Sequence, residues 1–325
     1  MHITLCGTGS ALPQRRLTSA EIDHRLNRPE GWLEAACGVQ SRYEVAPGED
    51  QITLAVTAAR QALADAGIAA AELSLVIGAS AVPYQPLPAT APLLAGALGA
   101  GEGQLAAFDV NSSCLSFVTG FEVASRMLGE GQYGLIVSSE LASRALPWAE
   151  APEVAGLFGD GAGALVLRGG GSGRLAAALL RSYPSGWQAC SIGSGGTRYD
   201  FHNAPQDFAQ NAIFRMDGRE LFRLTARHFA GFVKDLLARA GWSHGPDLVI
   251  PHQASPGGLA HMIRLTGFAP ERVVNVAADY GNQIAASIPL VLDLARREGR
   301  VSPGTKVLIL GTSAGVSFGG LALEI

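Results

Sequence analysis

Charged residues are scarce in this sequence: Asp, Glu, Lys and Arg make up 16% of its 325 residues, whereas hydrophobic residues make up 48%. Such a chain can bury a sizeable core, and its 41 glycines indicate many tight turns between strands and helices rather than a solvated helical array. The net charge of −4 gives no general reason to expect binding to nucleic acid or to an anionic membrane. An anionic partner would need a local basic patch.

Paired cysteines and long apolar runs are missing as well. The four cysteines, Cys6, Cys37, Cys114 and Cys190, are far apart and form neither a CxxC nor a CxxH spacing. We therefore expect no metal site, no disulfide framework and reduced thiols. No uncharged run reaches membrane-spanning length, and the start, MHITLCGTGSALP, lacks the regions of a signal peptide. The sequence thus predicts a soluble cytoplasmic protein.

Short apolar runs alternate with amphipathic stretches along the whole chain. This alternation predicts an α/β architecture with buried, largely parallel strands. The expected strands are residues 73–80, 133–139, 163–169, 247–253, 272–278 and 306–313, and the clearest expected helices are 53–66, 218–240 and 284–297.

The two ends of the chain show the same order of sequence features. In each, a polar turn opens an apolar helix, a strand follows, and a glycine-rich strand comes last. This order indicates a duplicated unit. We predict an N-terminal half, 1–170, and a C-terminal half, 171–325, joined at the GGGSG cluster of 169–173. Such halves would face each other across a pseudo-twofold axis, which would bring the two polar turns together.

Cys114 is the first candidate catalytic residue, because the polar run DVNSSC delivers it to the start of an apolar helix. Phe117, Phe121, Ala124 and Leu128 recur at helical spacing and predict a helix that is buried on nearly all sides. Its N-terminus would lie inside the protein, where free N–H groups and the helix dipole favour an anion. We expect the pKa of the thiol to be lowered there, which makes Cys114 a nucleophile. The alternative is a small buried hydrophobic side chain.

His252 and Asn282 lie at further turns of the predicted repeat. His252 follows the apolar strand DLVIP, and sites in α/β sheets gather beyond the carboxyl ends of strands. Asn282 lies just before a predicted helix. Alone, each is explained as a core histidine or a helix N-cap. Together with Cys114 they predict one catalytic site, with one nucleophile and two neutral hydrogen-bond donors.

Several motifs together resemble the β-ketoacyl-acyl-carrier-protein synthase III family, which has the thiolase-like fold. The likeness covers nearly the whole chain and lies in the order and spacing of GTGSALP, DVNSSC, FGDGAGALVL, MDGRELFR, HQA, GNQIAAS and GTSAGVSFGG. It implies duplicated βαβαβ halves in five α-β-α-β-α layers. It also implies an acyltransferase that forms a homodimer and needs no cofactor.

The resemblance implies a reaction in two stages. An acyl group passes from a thioester to Cys114, with the backbone N–H groups of Cys114 and of Ala314 or Gly315 as the oxyanion hole. Malonyl-acyl-carrier protein then loses CO2, and His252 and Asn282 stabilise its enolate; such a donor is typically worth about 3 kcal/mol. Attack on the acyl-cysteine gives a β-ketoacyl thioester, for fatty-acid synthesis or a related polyketide or biotin-precursor pathway.

Substrate contacts are assigned by the same resemblance to Trp32, Leu87, Gly218 and Phe222. Three departures from the family pattern bear on them: Ala36 replaces an arginine that often follows Trp32, AEAPEVAGLFGD lacks a basic residue, and HQASPGG replaces HQAN with an arginine soon after it. Losing these cations weakens binding of a coenzyme A phosphate. A coenzyme A ester and a carrier-protein ester therefore both remain open as donors. Arg144 and Arg198 are candidate partners for a carboxylated acyl group.

An arginine row, defined as Arg215, Arg219, Arg223 and Arg227, recurs every four residues. If this stretch is helical, the row lies along one face. We predict that it docks an acidic acyl carrier protein, since a local basic patch steers such a partner. An ordinary solvated basic face is the alternative.

Two other functions remain open. The HQAS segment motivates acyl transfer to an alcohol or amine without decarboxylation. A non-catalytic partner subunit of a heterodimeric ketosynthase is the third reading, and the intact set of cysteine, histidine and asparagine argues against it.

Overall fold

The computed structural model describes all 325 residues. The strands are β1 (His2–Ala11), β2 (Arg15–Thr18), β3 (Ser41–Glu44), β4 (Leu73–Gly78), β5 (Ala106–Asp109), β6 (Tyr133–Glu140), β7 (Gly161–Ser182), β8 (Cys190–Ser191), β9 (Arg215–Met216), β10 (Leu248–Pro251), β11 (Lys306–Ser313) and β12 (Ser317–Glu324). The helices are α1 (Ser19–Arg25), α2 (Trp32–Cys37), α3 (Gln51–Ala66), α4 (Thr90–Leu98), α5 (Ser116–Met127), α6 (Pro152–Ala155), α7 (Pro205–Gln210), α8 (Gly218–Ala240), α9 (Pro256–Thr266), α10 (Ala277–Tyr280) and α11 (Ser287–Arg297).

One long strand, β7, connects two half-sheets. The strand order is β10-β11-β12-β7-β6-β4-β5, with β1 also paired to β7. Residues 161–168 of β7 pair with β6, and residues 174–182 pair with β12. Between them Gly170 and Gly171 have φ values of 80° and 86°, a left-handed backbone that favours glycine. The GGGSG cluster is thus where the chain passes from one half-sheet to the other. The division into halves at 170 and 171, which falls inside this strand, stays a prediction.

The sheet is mixed, so the expectation of largely parallel strands is wrong. β4 is parallel to β5 and β6, and β10 is parallel to β11, but β7 is antiparallel to β1, β6 and β12. β11 and β12 are also antiparallel, because the turn 314–316 between them is too short for the crossover that a parallel pair needs. Residues 272–278 do not form the expected strand: only Val273 makes a bridge, to Val249, before α10 begins.

Helices form three layers around the two half-sheets. α3 and α4 cover the outer face of β1, β4, β6 and β7. α5 and α11 lie between the half-sheets, where Phe117 and Phe121 are buried against both; burying such a side chain contributes about 1.5–3 kcal/mol. α8 and α9 cover the outer face of β10, β11 and β12. The layers therefore follow the order α-β-α-β-α. None of the helices combines the length and the hydropathy that crossing a bilayer requires.

Candidate active site

The turns before α5 and α11 have the same backbone design. Ser113 and Ile284 both adopt left-handed backbone, with φ values of 52° and 51°. Each lies three residues before the first residue of its helix, Ser116 or Ser287. That serine donates its hydroxyl back to the carbonyl of the left-handed residue, at 2.7 Å in the first turn and 2.9 Å in the second. The two turns are therefore structural equivalents in the two halves.

Cys114 is half-buried, two residues before α5 begins. Burial, together with the nearby Cys190 and Glu140, raises the pKa of its thiol to about 12. The backbone N–H groups of Ala314 and of Cys114 itself act in the opposite direction. The expectation of a lowered pKa is therefore wrong, because desolvation and acidic neighbours outweigh the N–H groups. Cys114 rests as a neutral thiol and needs a base to become a nucleophile.

The two N–H groups beside the sulfur are those of the predicted oxyanion hole. Ala314 lies in the turn between β11 and β12, so the C-terminal half supplies one donor and the N-terminal half the other. Both act on the atom next to which a tetrahedral oxyanion forms. Gly315, the second candidate in that turn, stays a prediction.

His252 is buried at the carboxyl end of β10, and Ser287 fixes its ring. Nδ1 lies 2.7 Å from Ser287 Oγ, which also accepts the Gln253 N–H at 3.3 Å and donates to Ile284 O at 2.9 Å. A hydroxyl has one hydrogen, so donation to Ile284 makes Nδ1 the donor and leaves Nε2 with a free lone pair. Burial lowers the pKa of His252 to about 4, so the ring is neutral at pH 7.

Asn282 is held by backbone contacts on both sides of its carboxamide. Oδ1 accepts the Ile284 N–H at 2.8 Å, and Nδ2 donates to Ala254 O at 3.2 Å. The first contact joins residues two apart and forms an Asx turn, and the N-cap of the following 3₁₀ turn is Gln283, so the N-cap alternative for Asn282 is wrong. The second uses only one of the two Nδ2 hydrogens, so the other is available to a ligand.

Gly311 of β11 marks the point where the parts of the site meet. A methyl group on its Cα would lie 2.7 Å from Leu115 Cδ2, 3.3 Å from His252 Cβ and 3.6 Å from Ile288 Cδ1. Leu115 follows Cys114, and Ile288 lies in the first turn of the helix that follows Asn282. The fold therefore brings the nucleophile turn, the histidine and the asparagine turn around one glycine.

Trp32 is linked to this centre through a small apolar cluster. Trp32 and Leu157 both pack against the cluster around Leu33, and the Leu157 carbonyl accepts the Asn282 N–H at 2.8 Å. The Arg28 guanidinium lies 4.9 Å from the Trp32 ring centroid. The sequence reasoning missed this cation, because it looked for an arginine after Trp32, at Ala36, and not before it.

The other predicted substrate residues lie on the surface. Leu87 is 85% exposed. Gly218 is the first residue of α8, and Phe222 is exposed one turn later, with its ring centroid 4.2 Å from that of His261. None of the hydrogen bonds around the three catalytic candidates involves these side chains.

The arginine row is only partly helical. Arg219, Arg223 and Arg227 lie in α8, but Arg215 lies in β9, so the prediction of one helical face is wrong for Arg215. The helix cannot start earlier because Asp217 is its N-cap: Oδ1 accepts the N–H groups of Arg219 and Glu220 at 3.1 and 3.0 Å. Glu220 also forms an exposed ion pair with Arg223 at 2.6 Å.

Arg215 belongs to a separate cleft of about 210 Å3, which it lines with Arg198, Trp187 and Asn211. Neither arginine forms an ion pair. Arg144, the other candidate for a carboxylated acyl group, is exposed in a short 3₁₀ helix (Ala142–Ala145) outside this cleft.

Comparison with protein families gives two matches. The model described as 3-oxoacyl-[acyl-carrier-protein] synthase III matches residues 108–184, and the model of its C-terminal part matches residues 237–325; 3-oxoacyl and β-ketoacyl name the same group. A β-ketoacyl-[acyl-carrier-protein] synthase III of Rhizorhabdus wittichii is 34% identical over 323 residues, 98% of each chain. A homologue with that name from Streptomyces coelicolor is 36% identical over 98% of this chain and 96% of its own.

Solved structures agree with these matches. The 3-oxoacyl-[acyl-carrier-protein] synthase III of Aquifex aeolicus superposes with a TM-score of 0.88 at 29% identity, over 99% of this chain and 100% of its own. The enzyme of that name from Pseudomonas aeruginosa gives a TM-score of 0.86 at 31% identity, over 100% of this chain and 98% of its own. The predicted thiolase-like α/β fold is confirmed.

Proposed function

Because the chain belongs to the 3-oxoacyl-[acyl-carrier-protein] synthase III family, we propose that Cys114, His252 and Asn282 make a β-ketoacyl thioester from an acyl thioester and malonyl-acyl-carrier protein. The protein is an acyltransferase of the condensing type. The observation that carries the residue assignment is the meeting of the Cys114 turn, His252 and the Asn282 helix around Gly311.

The first stage acylates Cys114. His252 Nε2 takes the thiol proton while the sulfur attacks the thioester carbonyl, and the proton then leaves with the departing thiol. Removal of the proton accompanies the attack rather than preceding it, because burial disfavours both a free thiolate and a free imidazolium here. The N–H groups of Cys114 and Ala314 receive the oxyanion.

In the second stage His252 Nε2 must donate a hydrogen bond, whereas in the first stage it accepts a proton. When the Ser287 hydroxyl turns from Ile284 O to His252 Nδ1, the ring hydrogen moves to Nε2. Nε2–H and the free Nδ2–H of Asn282 then stabilise the enolate that forms as CO2 leaves. Both donors are uncharged, so neither holds the malonyl carboxylate in the site. The carbanion attacks the acyl-cysteine, and uptake of a proton restores the thiol.

The reaction uses side chains and backbone N–H groups only, so we propose no metal and no organic cofactor. Acyl carrier protein is the proposed partner, docking on Arg219 and Arg227, which form no ion pair, and on the exposed Phe222. The four free cysteines fit the reducing environment of a cytoplasm, which is the proposed location.

A homodimer is the proposed assembly. β5 ends the sheet and pairs only with β4, so one of its edges is unpaired. α4 packs on β4 and β5, and Leu87, highly exposed, lies just before α4. An unpaired edge beside an exposed leucine fits pairing with a second copy of β5. Leu87 would then reach toward the partner's site.

A condensation assay tests the proposed function. Purified protein is mixed with a panel of acyl-coenzyme A and acyl-carrier donors and with malonyl-acyl-carrier protein, and CO2 and ketoacyl product are measured. We expect Asn282→Ala to lower kcat about 10²–10³-fold. A wild-type protein that forms neither product with any donor would refute the proposal.

The HQAS departure, which motivated transfer to an alcohol or amine, has a structural explanation. Ser255 is the N-cap of α9, and its Oγ accepts the Gly258 N–H at 2.9 Å. This serine therefore replaces one capping residue by another. An acyl-Cys114 that turns over with an alcohol but never with malonyl thioester would instead favour that alternative.

A further inference from the structure

Glu140 is a buried carboxyl group that the proposed reaction does not use. It ends β6 and is 1% exposed. Its Oε1 accepts the Ala81 N–H at 2.5 Å, the N–H groups of Val82 and Ala285 also face the carboxylate, and Oε2 has no partner. We propose that Glu140 is a positioning residue: it fastens the Cys114 turn and the Asn282 turn to the end of β6. The proposal rests on the proposed function, in which those turns carry the nucleophile and an enolate donor.

The Ala81 peptide connects Glu140 to the Cys114 turn. Its N–H is held by Glu140, and its carbonyl accepts Asn111 Nδ2 at 2.8 Å. Asn111 Oδ1 in turn accepts the Ser113 N–H at 2.9 Å. Ser113 is the left-handed residue directly before Cys114. A continuous path of three hydrogen bonds therefore leads from the carboxylate to the nucleophile turn.

Ala285 connects Glu140 to the Asn282 turn. It is the equivalent of Cys114 in the C-terminal half, since each follows the left-handed residue of its turn. The Ala285 N–H of the second turn therefore faces Glu140 at the position where the first turn carries the thiol, and it lowers the pKa of the carboxyl group against the effect of burial. Opposite Glu140 on β7 lies Gly161, and a methyl group there would lie 3.1 Å from Gln283 Cγ. The turn 282–285 thus rests on the ends of β6 and β7.

The charge of Glu140 also affects the pKa of the Cys114 thiol. Burial raises the pKa of Glu140 to about 8, and the three N–H groups oppose that shift. The titratable groups whose charge acts on the Cys114 thiol are Cys190 from β8 and Glu140 from β6, and His252 at the end of β10 is the other titratable group of the proposed site. Burial lowers the pKa of His252 to about 4 and raises that of Cys190 to about 11. As pH rises through neutrality, Glu140 is therefore the first of these to change charge.

Glu140→Gln and Glu140→Asp separate position from charge. Glutamine keeps the reach and an oxygen that can accept the Ala81 N–H, and it removes the charge, so we expect kcat at pH 7 to fall less than about threefold with KM unchanged. The rate of Cys114 alkylation by iodoacetamide should reach half its maximum at lower pH, because a like charge is gone. Aspartate keeps the charge and loses the reach to the Ala81 N–H, so kcat should fall about tenfold to 10²-fold while the alkylation profile stays near that of the wild type. Glu122→Gln, in an ion pair with Arg126 on α5, is the matched control and should change neither quantity.

Asn111→Ala tests the path independently if Glu140→Asp does not fold. It should lower kcat by a similar factor, and the double variant should lose no more than the worse single one, because both act through the same turn. Wild-type kcat in a stably folded Glu140→Asp would overturn the proposal, as would wild-type kcat in Asn111→Ala. Alkylation needs no substrate, so a wild-type protein without condensing activity would refute the function and leave the alkylation result intact.

Discussion

Ser287 determines what the neighbouring imidazole can do. Its hydroxyl serves His252 Nδ1 and Ile284 O with one hydrogen, so its orientation sets whether Nε2 is a base or a donor. We expect Ser287→Ala to lower kcat about tenfold to 10²-fold, because the ring loses the partner that orients it. Single-turnover measurements of acylation and of CO2 release should both slow.

Ser125→Ala is the matched control for that variant. Ser125 is a buried helical serine whose Oγ donates to Glu122 O at 2.8 Å, without touching the site. Both variants should lose about 1 kcal/mol of unfolding free energy. Equal kcat values for the two would show that Ser287 only supports the fold.

The sequence predicted residue identities better than their electrostatics. The assignment of Cys114, His252 and Asn282 as catalytic residues stays a prediction, but the predicted direction of the thiol pKa was wrong, because desolvation depends on tertiary burial that a helical stripe does not report. Glu140 was missed although it shows the same pattern that pointed to His252. Both are polar residues at the end of an apolar strand, which for Glu140 is YGLIVSSE. Applied to every strand, that signal would have found it.

At the scale of elements, β11 must carry glycine where it passes under the site. A methyl group at Gly311 would press on Leu115 and His252. We expect Gly311→Ala to lower the unfolding free energy by about 1–3 kcal/mol and to reduce kcat, because overpacking displaces both neighbours. Urea denaturation and steady-state kinetics measure the two effects.

Gly96 provides the opposite case. It lies in α4, and a methyl group there would meet nothing within 4 Å. Gly96→Ala should therefore gain about 0.5–1 kcal/mol of unfolding free energy and keep wild-type kcat. A Gly311→Ala protein that behaves like this control would contradict the packing described around Gly311.

Elements with a full amphipathic period were predicted well, and short apolar runs were not. The range 218–240 coincides with α8, whose 23 residues give many turns to define the pattern. The run 272–278 has apolar residues but one bridge only, because nothing in its composition shows whether a neighbouring strand is in reach. The prediction of largely parallel strands was wrong for the same reason, because strand pairing depends on residues that are far apart in the sequence.

At the scale of the whole molecule, the predicted duplication accounts for a proposed site that forms between two halves, and the free edge of β5 predicts the dimer. Light scattering should give twice the 33.6 kDa of the chain. Leu87→Lys should weaken the dimer and lower kcat, because a charge would enter an apolar interface. Met127→Lys, at an exposed apolar residue of α5, should do neither. A monomeric wild-type protein would refute the proposed assembly.

The account as a whole requires that Cys114, and no other thiol, carries the acyl group. Intact-mass analysis after incubation with a panel of acyl thioesters, followed by peptide mapping, measures this directly. We predict one acyl group per chain on Cys114, absent in Cys114→Ala, with the neighbouring Cys190 unmodified. An adduct on Cys190 that persists in Cys114→Ala, or no adduct with any donor, would contradict the account.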